Sequence, residues 1–437
     1  MPNAPSPVTT VSPSAAATAA APPSAGPSGH RGTIRIGLVG CGAFARFSAE
    51  QYRQLPGVRI AAVADLDPEA SRRAATVLDA AVVDPEAMLV SPEIDLLYIA
   101  TPPATHHRQA RLALRAGRHV LVEKPLATTL AAAQELEALA ACQGRICVAN
   151  LVERYNPLAE AVRRLVESRV LGGLIHGVFL NEAADEGLRP EHWFWNRDVS
   201  GGIFVEHGVH FFDLVSYWLG RGRVVAAARS LRPIQPPVGG LHEPAEPPAL
   251  ESRRCAVEEQ VSCTCRYPGD ASDGEATGAG RASAPHTGVL FHFEHGFHQP
   301  NRMDRQELRL VFELGEVRLF DWVPTHGVVK AFVNDRTSEI LADILPGLTT
   351  AATQPCDGDE RHVRGRFRSF DATELVEATF TTGMDKMHLY AAVVRDLMAD
   401  QLARIRDPAH LRRLTEADSV AAVAIACEAD RMAFAAA

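Results

Sequence analysis

The stretch Ile34-Arg35-Ile36-Gly37-Leu38-Val39-Gly40-Cys41-Gly42-Ala43-Phe44-Ala45 constrains this chain more than any other. Its apolar alternation predicts a buried strand, which breaks at Gly40-x-Gly42-x-x-Ala45 into a helix running through Gln54. Strand, glycine turn and helix in that order are the setting of a dinucleotide-binding fingerprint. Gly40 allows the tight turn, and Gly42 lets a pyrophosphate approach bare backbone at the positive end of the helix. Ala45, in place of a third glycine, is small enough for the helix to pack closely on the strand.

A second strand, Val58 to Ala64, ends at Asp65, 25 residues after Gly40. A carboxylate at that spacing accepts hydrogen bonds from the adenosine ribose hydroxyls and repels a 2′-phosphate. Leu66 next to it offers that phosphate nothing, so NAD is the expected cofactor, with NADP as the alternative. Asp65 also suits the N-cap of a helix that begins at Pro68. Further strands near Val82-Val83, Ile94–Ala100, His119–Val122 and Arg145–Asn150 alternate with helical stretches. That alternation predicts an α/β, doubly wound parallel sheet of Rossmann type over residues 32–150.

Ligands of such sheets sit off the carboxyl ends of the strands. The turn Thr101-Pro102-Pro103-Ala104-Thr105-His106 is therefore a candidate cofactor wall, although His106 equally suits a local role at the start of the next helix. The fifth strand delivers Glu123-Lys124-Pro125. Proline keeps Lys124 extended, which aims its ammonium into the crevice as a donor to an alcohol or carbonyl oxygen.

At 437 residues the chain is long enough for two domains. A net charge of −9 argues against a nucleic-acid or anionic-membrane surface, and no apolar run reaches spanning length. The eight cysteines form no Cys-x-x-Cys pair, which favours free thiols in a reducing cytoplasm. Residues 1–31, almost wholly Pro, Ala, Ser and Thr, read as a disordered extension or an arm on a neighbouring subunit, without signal-peptide pattern.

Residues 151–437 read as a second, α+β domain with a largely antiparallel open-faced sheet. A helix over Asn156–Leu171 precedes strand candidates at Leu174–Leu180, Val224–Leu231, Ala256–Tyr267, Val289–Phe297, Leu308–Leu314, Val317–Trp322 and Val328–Val333. An open, apolar second face would pair with another subunit. Proline-rich 231–250 and Gly/Ala/Ser/Asp-rich 268–286 read as surface loops, and helices are expected over Met384–Arg404 and Thr415–Phe434, with Thr415 as N-cap.

A second chemical constellation is Glu206, His210 and Asp213, spaced i, i+4 and i+7 on one predicted helix face that ends at Gly220. Histidine titrates near 6.5, and neighbouring carboxylates would hold it ready for proton transfer. Oxidising a secondary alcohol needs such a base while a cofactor supplies the redox chemistry. Two other readings stand beside this one: a Glu–His pair that only decorates a helix, and Glu206-His207-x-x-His210 as half of a metal site whose third ligand is not evident. Upstream, His192-Trp193-Phe194-Trp195-Asn196-Arg197 suits either a ligand pocket or packing beneath the sheet.

Together, GCGAFA, IATPPATH, EKPLA (Glu123–Ala127), Arg154-Tyr155-Asn156-Pro157 and Ser200-Gly201-Gly202 leading to Glu206-His207-Gly208-Val209-His210-Phe211-Phe212-Asp213 resemble the glucose–fructose oxidoreductase and inositol dehydrogenase (Gfo/Idh/MocA) family. The resemblance implies a homodimeric or homotetrameric, NAD(P)-dependent dehydrogenase acting on a secondary hydroxyl of a sugar or polyol. It implies Lys124, Glu206 and His210 as the catalytic set, with no metal. Expected cofactor contacts are Gly40, Gly42, Ala43, Phe44, Asp65, Thr101, Pro102, His106, Glu123, Lys124 and Asn150, and expected substrate contacts are Arg154, Trp195 and Arg197. Glu206 stands where the family usually has Asp, and Glu153 where it more often has a neutral or basic residue. A cofactor-bound regulatory or scaffold member and a metal-assisted lyase or dehydratase are the competing classes.

Overall fold

The computed structural model describes residues 32–184, 188, 192–233, 256–268, 288–300, 302–365 and 369–435. The N-terminal extension and most of both expected loops lie outside these residues.

Six strands form the first sheet: β1 (Ile34–Val39), β2 (Val58–Ala64), β3 (Ala81–Val82), β4 (Leu96–Ile99), β5 (His119–Val122) and β6 (Cys147–Ala149). Their order is β3-β2-β1-β4-β5-β6, and every pairing is parallel. Strands buried on both faces read as continuous apolar runs, and Leu96–Ile99 is wholly buried. The order reverses beside β1, so the crevice over its carboxyl end opens at the glycine turn.

The second sheet has nine strands, with β7 (Leu174–Ala184), β8 (Arg223–Pro233), β9 (Ala256–Tyr267), β10 (Val289–Gln299), β11 (Arg305–Phe312), β12 (Gly315–Phe320), β13 (His326–Val333), β14 (Thr349–Pro355) and β17 (Glu374–Thr381) in the order β14-β17-β13-β12-β11-β7-β10-β9-β8. A separate pair, β15 (His362–Arg364) and β16 (Ser369–Asp371), forms a small hairpin-like ribbon. Only β7 and β10 run parallel; the other pairings are antiparallel. The helix Val209–Leu219 covers one face, where Phe211 stacks on Phe179 at 3.6 Å and Phe212 meets Phe293 edge-on at 4.9 Å. The opposite face is mixed rather than apolar. Half-buried Val178, Leu180, Val311 and Phe332 lie among the ion pairs Arg309–Glu316, Arg318–Glu316 and Lys330–Glu377.

Two late helices bind the halves together. In Lys386–Arg406, Tyr390 stacks on Phe44 and Phe47 of the glycine-turn helix (Ala43–Tyr52), each at 5.8 Å. In Glu416–Ala435, Glu416 Oε1 accepts from Cys147 N and Ser419 Oγ from Ala149 N, each at 3.1 Å. The free edge of β6 is thereby covered, as exposed strand edges require. Thr415 and Asp418 exchange bonds as a capping box at the start of this helix.

Candidate active site

The glycine turn is built as its composition dictates. Gly40 has φ +88°, and a Cβ there would lie 2.4 Å from Ala100 O, so only glycine fits. Gly42 precedes the helix Ala43–Tyr52, and a Cβ there would meet nothing within 4 Å. This open space over free N–H groups suits a pyrophosphate. Asp65 Oδ2 accepts from Cys41 N at 2.6 Å and Oδ1 from Asp67 N at 2.8 Å, tying the end of β2 to the turn. Asp67, not Asp65, caps the next helix. Leu66 is 93% exposed.

His106 has another task. It is fully buried, with Nδ1 2.7 Å from Pro125 O and Nε2 2.7 Å from Thr101 O. Burial lowers its pKa to about 4 despite these contacts. It ties the loop after β4 to the loop after β5 and keeps no ring nitrogen for a ligand. Thr101 Oγ1 bonds Gln109 at 2.7 Å, Pro102 and Ala43 are exposed, and Phe44 packs on Tyr390. Glu123 accepts from Tyr98 and, at 2.7 Å, from Asn150 Nδ2, and burial raises its carboxyl. Asn150 Oδ1 is buried without a partner.

Lys124 crosses from the first sheet to the second half of the chain. Its Nζ donates to Glu206 O at 3.1 Å and to the Glu206 carboxylate. Glu206 lies in a wide π turn, Phe204–Gly208, that opens directly into the helix holding His210. Such turns re-aim side chains and recur at functional sites. The turn is fixed from behind: Ile203 N donates to Glu258 Oε2 at 2.8 Å, and Arg197 Nη1 grips Glu258 Oε1 at 2.7 Å. Gly202, at φ +88°, leaves room for both groups, since a Cβ there would come within 2.5 Å of Arg197.

His210 is 5% exposed, and its Nδ1 is buried without a partner. Burial, then the charge of Lys124, holds its pKa well below the usual histidine value. The sequence pattern had suggested the reverse, with Glu206 and Asp213 sharing the face of His210. Instead Glu206 is bound by Lys124 and Asp213 by Arg154, so neither carboxylate supports the imidazolium. His207 points elsewhere, toward His295 at 5.3 Å and Phe297 at 5.2 Å. No group of three or more His, Cys, Asp or Glu with metal-holding geometry occurs among the described residues.

Two expected substrate contacts prove structural. Arg154 is 4% exposed and meets Asp213 with two bonds of 2.6 and 2.7 Å, Asp418 at 3.2 Å and Arg413 O at 3.0 Å, leaving it no reach into a crevice. Arg197 is occupied by Glu258 and Asp430 and lies against Phe434. Trp195 is half-buried, edge-on to Phe194 at 4.8 Å, beside a separate cavity of about 230 Å³ lined by Arg197, Arg229 and Phe434.

Residues 34–151 match the family described as "Oxidoreductase family, NAD-binding Rossmann fold", and residues 159–318 match "GFO/IDH/MocA C-terminal domain". The chain belongs to the Gfo/Idh/MocA oxidoreductase family. Its relatives include a 1-carboxy-3-chloro-3,4-dihydroxycyclohexa-1,5-diene dehydrogenase of Comamonas testosteroni, 30% identical over 44% of this chain and 49% of that protein. Inositol 2-dehydrogenase 2 of Saccharopolyspora erythraea is 31% identical over 46% of this chain and 58% of its own length. The chain thus spans about half the length of the curated relatives it matches. Among solved structures, levoglucosan dehydrogenase in complex with NADH and L-sorbose superposes over 92% of this chain and 97% of its own, with TM-score 0.66 and 16% identity. A putative myo-inositol dehydrogenase from Sinorhizobium meliloti 1021 does so over 93% and 98%, with TM-score 0.61 and 18% identity.

Two residues that sequence reasoning did not assign to the site lie next to His210 in this Gfo/Idh/MocA member, and a third, Glu153, is buried in the turn that leaves β6. The Trp322 ring lies 6.1 Å from His210 and 5.1 Å from Tyr390. Glu153 is 1% exposed, with both carboxyl oxygens unpartnered. Trp322 and Tyr390 carry no local signal because only the fold brings them together. Glu153 carries one: it is the acid standing directly before Arg154-Tyr155-Asn156-Pro157.

Proposed function

We propose that this chain is an NAD-dependent dehydrogenase that interconverts a secondary hydroxyl of a sugar or polyol with the corresponding carbonyl. The observation that carries the reading is the Lys124–Glu206 bridge, which brings the EKP lysine of one half to the π turn preceding His210 in the other. In this reading Gly40, Gly42, Asp65, Thr101 and Asn150 hold the dinucleotide, Asp65 favouring NAD over NADP. The bound nicotinamide supplies the hydride chemistry.

The protein's own groups do the rest. An ammonium has three donors, and Lys124 directs two of them at Glu206, which leaves one for the reacting oxygen. A fixed positive charge in a poorly solvated crevice lowers the cost of alkoxide character on that oxygen. The same charge and burial keep His210 neutral, and therefore able to accept the hydroxyl proton. Glu206 holds the ammonium in place from both its backbone and its side chain. Trp322 and Tyr390 screen the crevice from water. We place the enzyme in the cytoplasm as a homo-oligomer, the mixed face of the second sheet being its contact surface.

The test is absorbance of reduced nicotinamide across a panel of sugars and cyclitols, with Lys124→Ala and His210→Ala alongside. Turnover in the wild type that falls by orders of magnitude in both variants, with NAD affinity kept, supports the assignment. Unchanged turnover in both removes it. A strong preference for NADP would remove the role given to Asp65.

A further inference from the structure

Beside Trp195 lies a cavity of about 230 Å³ whose lining includes neither Lys124 nor His210. It backs onto the π turn: Gly202 and Ile203 line it, and Glu206 N donates to Gly202 O at 2.8 Å. Two arginines also line it, and the fold treats them differently. Arg197 is engaged on both sides, with Nη1 2.7 Å from Glu258 Oε1 and Nη2 on Asp430. Arg229, whose side chain is only 13% exposed, makes no hydrogen bond among the described residues. Its Nη1 lies 4.0 Å from Glu258 Oε1. The Phe434 ring, centred 3.1 Å from Arg229 Cζ, offers a cation–π contact and no acceptor. A guanidinium has five donors and keeps its charge, so burying one with its donors unused is costly.

We propose that this cavity is a second ligand site, separate from the Lys124–His210 crevice, for a small uncharged aromatic carboxamide whose C=O accepts from Arg229 and whose N–H₂ group donates to Glu258. Size, charge and walls each point to that class. The volume falls below the ~300–1,000 Å³ of drug-sized pockets, which suits a single substituted ring. The charges of Arg197, Arg229, Glu258 and Asp430 cancel, so a ligand with a charge of its own would be left uncompensated in a poorly solvated space. Glu258 accepts from Arg197 at 2.7 Å and from Ile203 N at 2.8 Å. A carboxylate has about four lone-pair sites, so it can accept again. An arginine with open donors and a carboxylate with open acceptor sites, 4.0 Å apart, match a primary amide, which carries C=O and N–H₂ side by side. Phe194 and Trp195, edge-on at 4.8 Å, and Phe434 supply aromatic walls for the ring. Such a site is independent of which substrate the Lys124–His210 crevice turns over.

The test is calorimetric titration of the NADH-loaded full chain with benzamide, benzoate and acetamide, in wild type, Arg229→Met, Phe434→Ala and Lys124→Met. Benzamide is expected to bind at one equivalent. Benzoate, which adds a charge, and acetamide, which lacks the ring, are expected to bind at least about tenfold more weakly. Arg229→Met is expected to raise the Kd for benzamide by at least about tenfold, whereas Lys124→Met keeps it within about twofold of the wild type. Absence of benzamide binding, a Kd unchanged in Arg229→Met, or benzoate bound as tightly as benzamide overturns the proposal. So does loss of binding in Lys124→Met, which would put the amide in the crevice. Should Arg229→Met not fold, Phe434→Ala decides. A Kd raised for benzamide and not for acetamide supports the site, and a Kd unchanged for benzamide overturns it.

Discussion

The environments of Arg154 and His210 are about equally dry, lie on neighbouring elements and are both rich in polar groups, yet they are built on opposite rules. Arg154 reaches two carboxylates and a carbonyl, and Asp213 is gripped at both oxygens. A few residues away, His210 Nδ1, Asn150 Oδ1 and both oxygens of Glu153 have nothing to bond. Buried polar groups in folded proteins are almost always paired. The saturated network around Arg154 thus belongs to the scaffold that holds the chain together. By this contrast Arg154 and Arg197 are held by the fold's own carboxylates.

The largest effect that would break this contrast is kinetic. His210→Ala is expected to lower kcat by about 100- to 10,000-fold while the melting temperature stays near that of the wild type. A collapse of stability instead would place His210 with the saturated group. Next comes Arg154→Met. It strands Asp213 in the interior and should destabilise by about 3–5 kcal/mol, measured by denaturant titration, with NAD still bound by the folded fraction. An effect below about 1 kcal/mol would show that the network is dispensable.

Glu153→Gln sharpens the comparison through pH. The folded-state pKa of about 8 lies above the ordinary glutamate value, so the folded form binds the proton more tightly than the unfolded chain does. Wild-type stability from this group is present below the unfolded pKa and is lost as pH rises toward 8. Glutamine has no such loss. The variant should be the more stable by on the order of 3 kcal/mol at pH 7, and its advantage in melting temperature should widen between pH 5 and pH 8. A constant difference would mean that Glu153 is already paired. The smallest effect belongs to Ser419→Ala, which uncovers the amide of Ala149 and should cost about 1 kcal/mol.

Much of the fold was readable where burial writes a period into the chain. Val58–Ala64, His119–Val122 and Ala256–Tyr267 have the bounds that their apolar patterns predict. The strand Thr349–Pro355 was missed because it is exposed along its whole length and carries no alternation, and the helix Asp335–Ile344 was missed although Asn334 marks its start as N-cap. The glycine turn, Lys124 and the Glu206–His210 segment, on which the proposed site rests, are all local patterns. The sequence was misread wherever a partner decides the role. Arg154 finds Asp213 59 residues away, and Arg197 finds Asp430 233 residues away, separations at which no spacing rule operates. The helix expected to carry Glu206 and His210 together begins only at Val209, because the π turn before it answers to Glu258 and Lys124 rather than to local propensity.

The covering of β6 by Ser419 sets the order in which the molecule can be made. The amide that Ser419 satisfies belongs to a strand translated 270 residues earlier. The nucleotide-binding half therefore leaves the ribosome with one rim still bare, and it stays so until the last helix arrives. A chain paused anywhere in that interval presents an adhesive flank to its neighbours, so slow synthesis of the second half is where this protein is most open to aggregation.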